Sequence, residues 1–120
     1  MNKIINRVSS IFRFDQKTYD VDHGNVSKWV RTYYDEKFNN IAEVVITGIC
    51  KQINLPLSQL TPETDFVKDL GSCGNFYPIR LITAIEETFD LHLNVEDDRK
   101  IRTINDLILV INQKINGNHN

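Results

Sequence analysis

Residues 66–90 read FVKDLGSCGNFYPIRLITAIEETFD: a short apolar turn, a glycine-broken gap, then a helix. The helix is expected over about Asn75–Phe89. There Ile79, Ile82, Ile85 and Phe89 recur at spacings of three, three and four, with Leu81 beside them. Asn75 suits the N-cap, and Pro78 is then the third helical residue, where a missing N–H costs little. Glu86 and Glu87 fall at the helix end that the macrodipole disfavours for acids. Solvation explains them as readily as a surface kept for a partner. Upstream, Pro56, Pro62, Gly71 and Gly74 forbid a continuous helix through residues 54–74. Yet Leu55, Leu57, Leu60, Phe66, Val67 and Leu70 lie in that stretch and are expected in dry positions. An ordered connection of this length is uncommon and often functional.

Before this stretch, Val30, Tyr34, Phe38, Ala42, Val45, Ile49 and Ile53 form a stripe at spacings of three and four. It predicts one long helix over about Ser27–Asn54, or two helices broken at Asn39-Asn40, capped by Ser27 or Asn25. Trp29, Tyr33, Tyr34 and Phe38 are expected to pack into the core or on one another. Asp15–Asn25 is polar, holds Gly24 and reads as a loop. After residue 90, Val95–Ile101 predicts a helical turn or two. Thr103 with Asp106 forms a partial capping box for a last helix whose apolar face is Ile104, Leu107, Ile108, Ile111 and Ile115. Residues 116–120 read as a frayed tail. No strand pattern survives. The expected fold is all-α: a small bundle of three main helices plus one short helix, with an N-terminal helical extension. Val45, Ile49, Phe66, Leu70, Ile82, Ile85, Phe89, Leu107, Ile108 and Ile111 are its expected core.

The chain has 120 residues, 41% apolar and 25% charged, which suits one globular domain with a modest core. Its net charge of −2 argues against a nucleic-acid-coating protein. No apolar run approaches a transmembrane length. Charge divides at about residue 40: seven basic and five acidic residues precede it, seven and eleven follow. This suggests an added segment, residues 1–40, before a mildly acidic module over 41–115. Met1–Phe14 has no acid, and Ile4, Ile5, Val8, Ile11 and Phe12 share one helical face. A helix docked on its own domain, a basic helix touching a membrane or a partner, and a targeting peptide all fit that pattern. Cys50 and Cys73 match no zinc or redox spacing. They read as idle thiols of a reducing cytoplasm, with one disulfide as the alternative. His23, His92 and His119 are scattered. No metal motif and no set of nucleophile, base and orienter is present, so an enzyme is not expected.

Three stretches together resemble the acyl carrier protein family over about Ile41–Ile115. Phe66-Val67-Lys68-Asp69-Leu70-Gly71 is similar to the family's F-x-x-D-L-G, which precedes its second helix. Ala84-Ile85-Glu86-Glu87-Thr88-Phe89-Asp90 is similar to the A-[LI]-E-E-x-F-D that ends that helix. Ile101-Arg102-Thr103-Ile104 is similar to the I-x-T-[VI] that opens the fourth. The resemblance implies a carrier bundle whose members hold acyl cargo on a phosphopantetheine arm, attached to the serine of D-S-L at the start of helix two. This sequence departs there. The stretch Ser72-Cys73-Gly74-Asn75 is one residue longer than the family pattern, and Asn75 or Gly74 takes the serine's place. Neither has a hydroxyl. Ser72 is the nearby one, two or three positions early.

Three functions follow as expectations. The first is a binding module without its own cofactor, meeting a protein partner through Asp69, Cys73, Asn75, Phe76, Tyr77, Arg80, Glu86 and Glu87. The partner is an enzyme of acyl metabolism or another target. The second is a genuine carrier in fatty-acid or polyketide-type synthesis, with the arm shifted to Ser72. The third is an immunity-type inhibitor on a carrier fold, since fold does not fix function. Phe76 and Tyr77 are expected either as an exposed hot spot or tucked under the longer loop.

Overall fold

In the computed structural model, which describes residues 19–71 and 76–117, the first helix begins at His23. Asp22 caps it: Oδ1 accepts the Asn25 N–H at 3.1 Å, and Oδ2 accepts the Asn25 side-chain amide. This helix, α1 (His23–Tyr33), opens inside the stretch read as a loop, ahead of both expected caps, Asn25 and Ser27. A carboxylate at the N-cap satisfies first-turn N–H groups and suits the positive end of the dipole. The expected helix over residues 1–14 lies outside the described residues, as do Ser72, Cys73, Gly74 and Asn75.

Tyr34 turns extended and ends α1. A 3-10 turn over Glu36–Phe38 then leads directly into α2 (Asn39–Gln52). The stripe is therefore two helices, broken at Tyr34-Asp35 rather than at Asn39-Asn40. The aromatic residues supply the reason. The break sets the Tyr34 ring 6.2 Å from Trp29 and 5.9 Å from Phe38. It also lets the Tyr34 hydroxyl donate to Asn105 Oδ1 at 2.8 Å. Burial, with Glu63 adding to it, pushes this phenol up to about 12.

Helix α2 is central. It packs on α1, on α3 (Pro78–Phe89) and on α5 (Ile104–Gly117). A Cβ at Gly48 would stand 2.6 Å from Leu81 Cδ1, so a larger residue there would oblige the Leu81 side chain of α3 to shift. One core holds all four helices: Val26, Trp29 and Val30 of α1 join Val45, Ile46, Ile49, Leu81, Ile85, Leu107, Ile108 and Ile111. Phe66 and Leu70 are buried with them, while Ile82 and Phe89 are only half-buried. The last helix runs to Gly117, beyond the expected end at Ile115. Thr103 and Asp106 complete their capping box: Thr103 Oγ1 accepts the Asp106 N–H, and Asp106 Oδ2 accepts that of Thr103.

The short helix α4 (Val95–Arg99) has a capping box of its own, from Asn94 and Asp97. Asp97 also accepts from Lys114 Nζ of α5 at 2.8 Å. Burial works to raise the Asp97 carboxyl, but Lys114 and the Asn94 N–H together hold it below the usual carboxylate range. The unfolded chain then binds that proton more tightly. The pair's contribution is full above about pH 4 and is lost as pH falls toward the depressed folded value. Lys114→Ala is expected to cost about 1–3 kcal/mol at neutral pH. Urea titrations of both proteins should show that gap narrowing as pH falls below the ordinary carboxylate range and Asp97 takes up its proton.

Between α2 and α3 the chain is ordered by named bonds rather than by helix. Trp29 Nε1 donates to the Leu60 carbonyl at 2.8 Å. The Ile104 and Asn105 N–H groups donate to Thr64 and Pro62, and Phe66 N–H donates to Arg102. Leu60 is buried and Leu55 and Leu57 half-buried, as their character requires. Val67 is not: it is 77% exposed, against expectation. No strand forms among the described residues; an isolated bridge joins Asp65 and Thr103.

Candidate partner-binding face at the start of the third helix

Asp65 builds the turn that leads to the face. Its Oδ1 accepts the N–H groups of Val67 at 2.8 Å and Lys68 at 2.9 Å, and its Oδ2 lies 3.3 Å from Arg102 Nη2. The Lys68 and Val67 N–H groups, with Arg102, hold its carboxyl below the ordinary range. Asp69 Oδ2 in turn accepts the Asp65 N–H at 2.7 Å. Asp69, expected as a partner residue, thus also braces this turn. Winding residues 66–68 around one carboxylate sends Phe66 inward and Val67 out.

Phe66 meets Phe76 across the gap. Their rings stack 5.9 Å apart at 8°. Phe76 is 6% exposed, so it is not the exposed hot spot that was one of the two expectations for it. Tyr77 differs. Its N–H donates to Oε1 of the buried Gln52 at 2.9 Å, while its side chain is 42% exposed. The Arg80 guanidinium lies over the Tyr77 ring, 4.9 Å from its centre.

Helix α3 starts at Pro78, not at the expected Asn75, and Tyr77 is its N-cap. A residue before proline is pushed to extended backbone, and Tyr77 obeys, with φ −123 and ψ 108. Ile79, counted in the apolar stripe, is 69% exposed. Sequence spacing carried the signal: steps of three drift about 60° each around a helix of 3.6 residues per turn. Ile79 and Ile85 therefore cannot share a face, and Leu81 with Ile85 is the buried pair.

At the other end of α3, Asp90 closes the helix in the left-handed region at φ 54. Glu86 Oε2 accepts the Leu93 N–H at 2.8 Å and lies 3.5 Å from His92 Nδ1, so it shapes the following loop. Glu87 is half-buried nearby. Cys50 is a free thiol that burial pushes up to about 11, which makes it a poor nucleophile. Among the described residues, no cluster of His, Cys, Asp and Glu could hold a metal, and no helix is long and apolar enough to cross a membrane.

The fold and this helix start define a small helical bundle of the acyl-carrier type. The chain is 38% identical over 63 residues to the acyl carrier protein of Helicobacter pylori strain J99, covering 52% of this chain and 80% of that one. The acyl carrier proteins of strains G27 and HPAG1 match with the same 38% identity and the same 52% and 80% coverage. No family model matches the chain, and no solved structure does. The chain belongs to the acyl carrier protein family.

Proposed function

We propose that this protein is an acyl-carrier-type binding module that works by protein–protein contact through the start of α3 and carries no phosphopantetheine arm. The observation that carries this reading is chemical. Where the family has its attachment serine, this chain has Asn75 or Gly74, and a phosphodiester needs a hydroxyl that neither offers. The residues of this site do not fit the arm. The surroundings support the same reading. Phe76, next in sequence, is packed against Phe66, and the helix begins only at Pro78, which has no N–H to offer a phosphate. Family membership points to enzymes of acyl metabolism as partners.

The test is intact mass after the full chain is incubated with coenzyme A and a broad-specificity phosphopantetheinyl transferase. An unchanged mass is expected. A gain of one arm, mapped to Ser72 and abolished by Ser72→Ala, would overturn the proposal and make the chain a working carrier with a displaced attachment.

A further inference from the structure

The start of α3 leaves apolar side chains in the open. Phe66 and Phe76 stack inward, while Val67, Tyr77 and Ile79 turn out to solvent, and Pro78 is exposed between the last two. Tyr77-Pro78-Ile79 is a run of three exposed apolar residues, which on a monomer marks a place that something covers. Charge does not choose the occupant, because Lys68 and Asp69 are both exposed beside Val67; the path of the chain does.

The described chain enters at this same end of the bundle. The Tyr19 N–H donates to the Lys51 carbonyl at 3.0 Å, and Ser27 Oγ donates to Glu43 Oε2 at 3.2 Å. As the chain advances from Tyr19 to Ser27, its partners retreat from Lys51 to Glu43. Helices α1 and α2 are therefore antiparallel, and the residues before Tyr19 arrive from beyond the C-terminal end of α2. That end meets the start of α3: Gln52, which follows Lys51, accepts the Tyr77 N–H at 2.9 Å. The stretch from Phe14 to Tyr19 reaches up to about 17 Å, so residues 1–14 are tethered within range of Tyr77. A tether this short holds its segment at roughly millimolar effective concentration.

We propose that residues 1–14 fold back on the start of α3 and cover Tyr77 and Ile79 with Ile4, Ile5, Val8, Ile11 and Phe12. These five share one helical face in the sequence, an apolar stripe about 12 Å long at 1.5 Å per residue. Lys3, Arg7 and Arg13 lie mostly off that face and stay in solvent. A partner that uses the start of α3 then competes with the chain's own beginning, and the contact is autoinhibitory. That consequence rests on the function proposed above; the docking itself does not.

Trypsin cleavage of the full chain after Arg13, followed by mass spectrometry, tests the docking. Ile79→Asp is expected to speed that cut at least about tenfold, because the contact loses a buried isoleucine. Ile5→Asp, on the other side of the contact, should do the same. Ile79 is exposed on the bundle and an aspartate suits the first turn of a helix, so far-ultraviolet dichroism should be unchanged. Equal cutting rates in the three proteins overturn the proposal. So does protection that fades on dilution, which would make a second copy the occupant. The mass test above fails separately. An arm gained at Ser72, with Ile79→Asp still accelerating the cut, would remove the armless reading and leave the docking standing.

Discussion

Replacing Trp29 by alanine is expected to lower the unfolding free energy by about 3–5 kcal/mol. Trp29 is 6% exposed, its ring lies 4.7 Å from that of Tyr33, and its indole N–H satisfies the Leu60 carbonyl. Truncation would leave a cavity at the seam between α1 and the connection, together with a buried carbonyl that has lost its donor. A domain of this size has about 5–15 kcal/mol in total, so the variant should be near its folding limit. Urea titration followed by far-ultraviolet dichroism checks this. Trp29→Phe keeps most of the volume and should lose about 1–3 kcal/mol, the share of the hydrogen bond. A loss below about 1 kcal/mol for Trp29→Ala would show that α1 hangs on the bundle without holding it. The expected loss would show that α2, α3 and α5 depend on α1 for their stability.

Phe76→Ala is expected to cost a similar amount, about 3–5 kcal/mol. Phe76 is 6% exposed against Phe66, and this stack ties the Asp65–Gly71 turn to the start of α3. Its neighbour gives the contrast. Tyr77→Ala, on the exposed side, should change stability by only about 0.5 kcal/mol. Two adjacent aromatic residues would then differ in their work, one holding the fold and one lying on the surface. Thermal melts of the two variants decide it. Equal losses would mean that Tyr77 is as much a part of the core as Phe76.

Much of the fold was legible because helical periodicity and capping are local. Val45, Ile49, Ile85, Leu107, Ile108 and Ile111 announce their burial by spacing, and Thr103 with Asp106 announces a helix start. What stayed hidden rests on distant partners. Tyr34 breaks a helix in order to reach Asn105, 71 residues away. Trp29 reaches Leu60 across 31. Val67 turns outward because the Asp65 carboxylate winds the chain, which no apolar count registers. The start of α3 was legible in principle, since Pro78 forbids helix at Tyr77; the polar Asn75 was the more conspicuous cap and the wrong one. At the candidate site, that Asn75 and Gly74 carry no hydroxyl is plain from sequence, being a matter of which side-chain atoms exist. The roles of Phe76 and Tyr77 needed the structure, because adjacent aromatic residues look alike until one of them is packed.

Trp29 is the chain's only tryptophan, and it stands where α1 meets the rest of the molecule. The protein therefore carries a built-in optical reporter of that single seam. Its emission should be blue and shielded from dissolved quenchers while the indole is docked, and should shift to the red when the seam opens. If the red shift precedes the loss of helical signal on warming, α1 lifts away before the bundle melts. If the two coincide, α1 and the rest of the bundle behave as one cooperative unit.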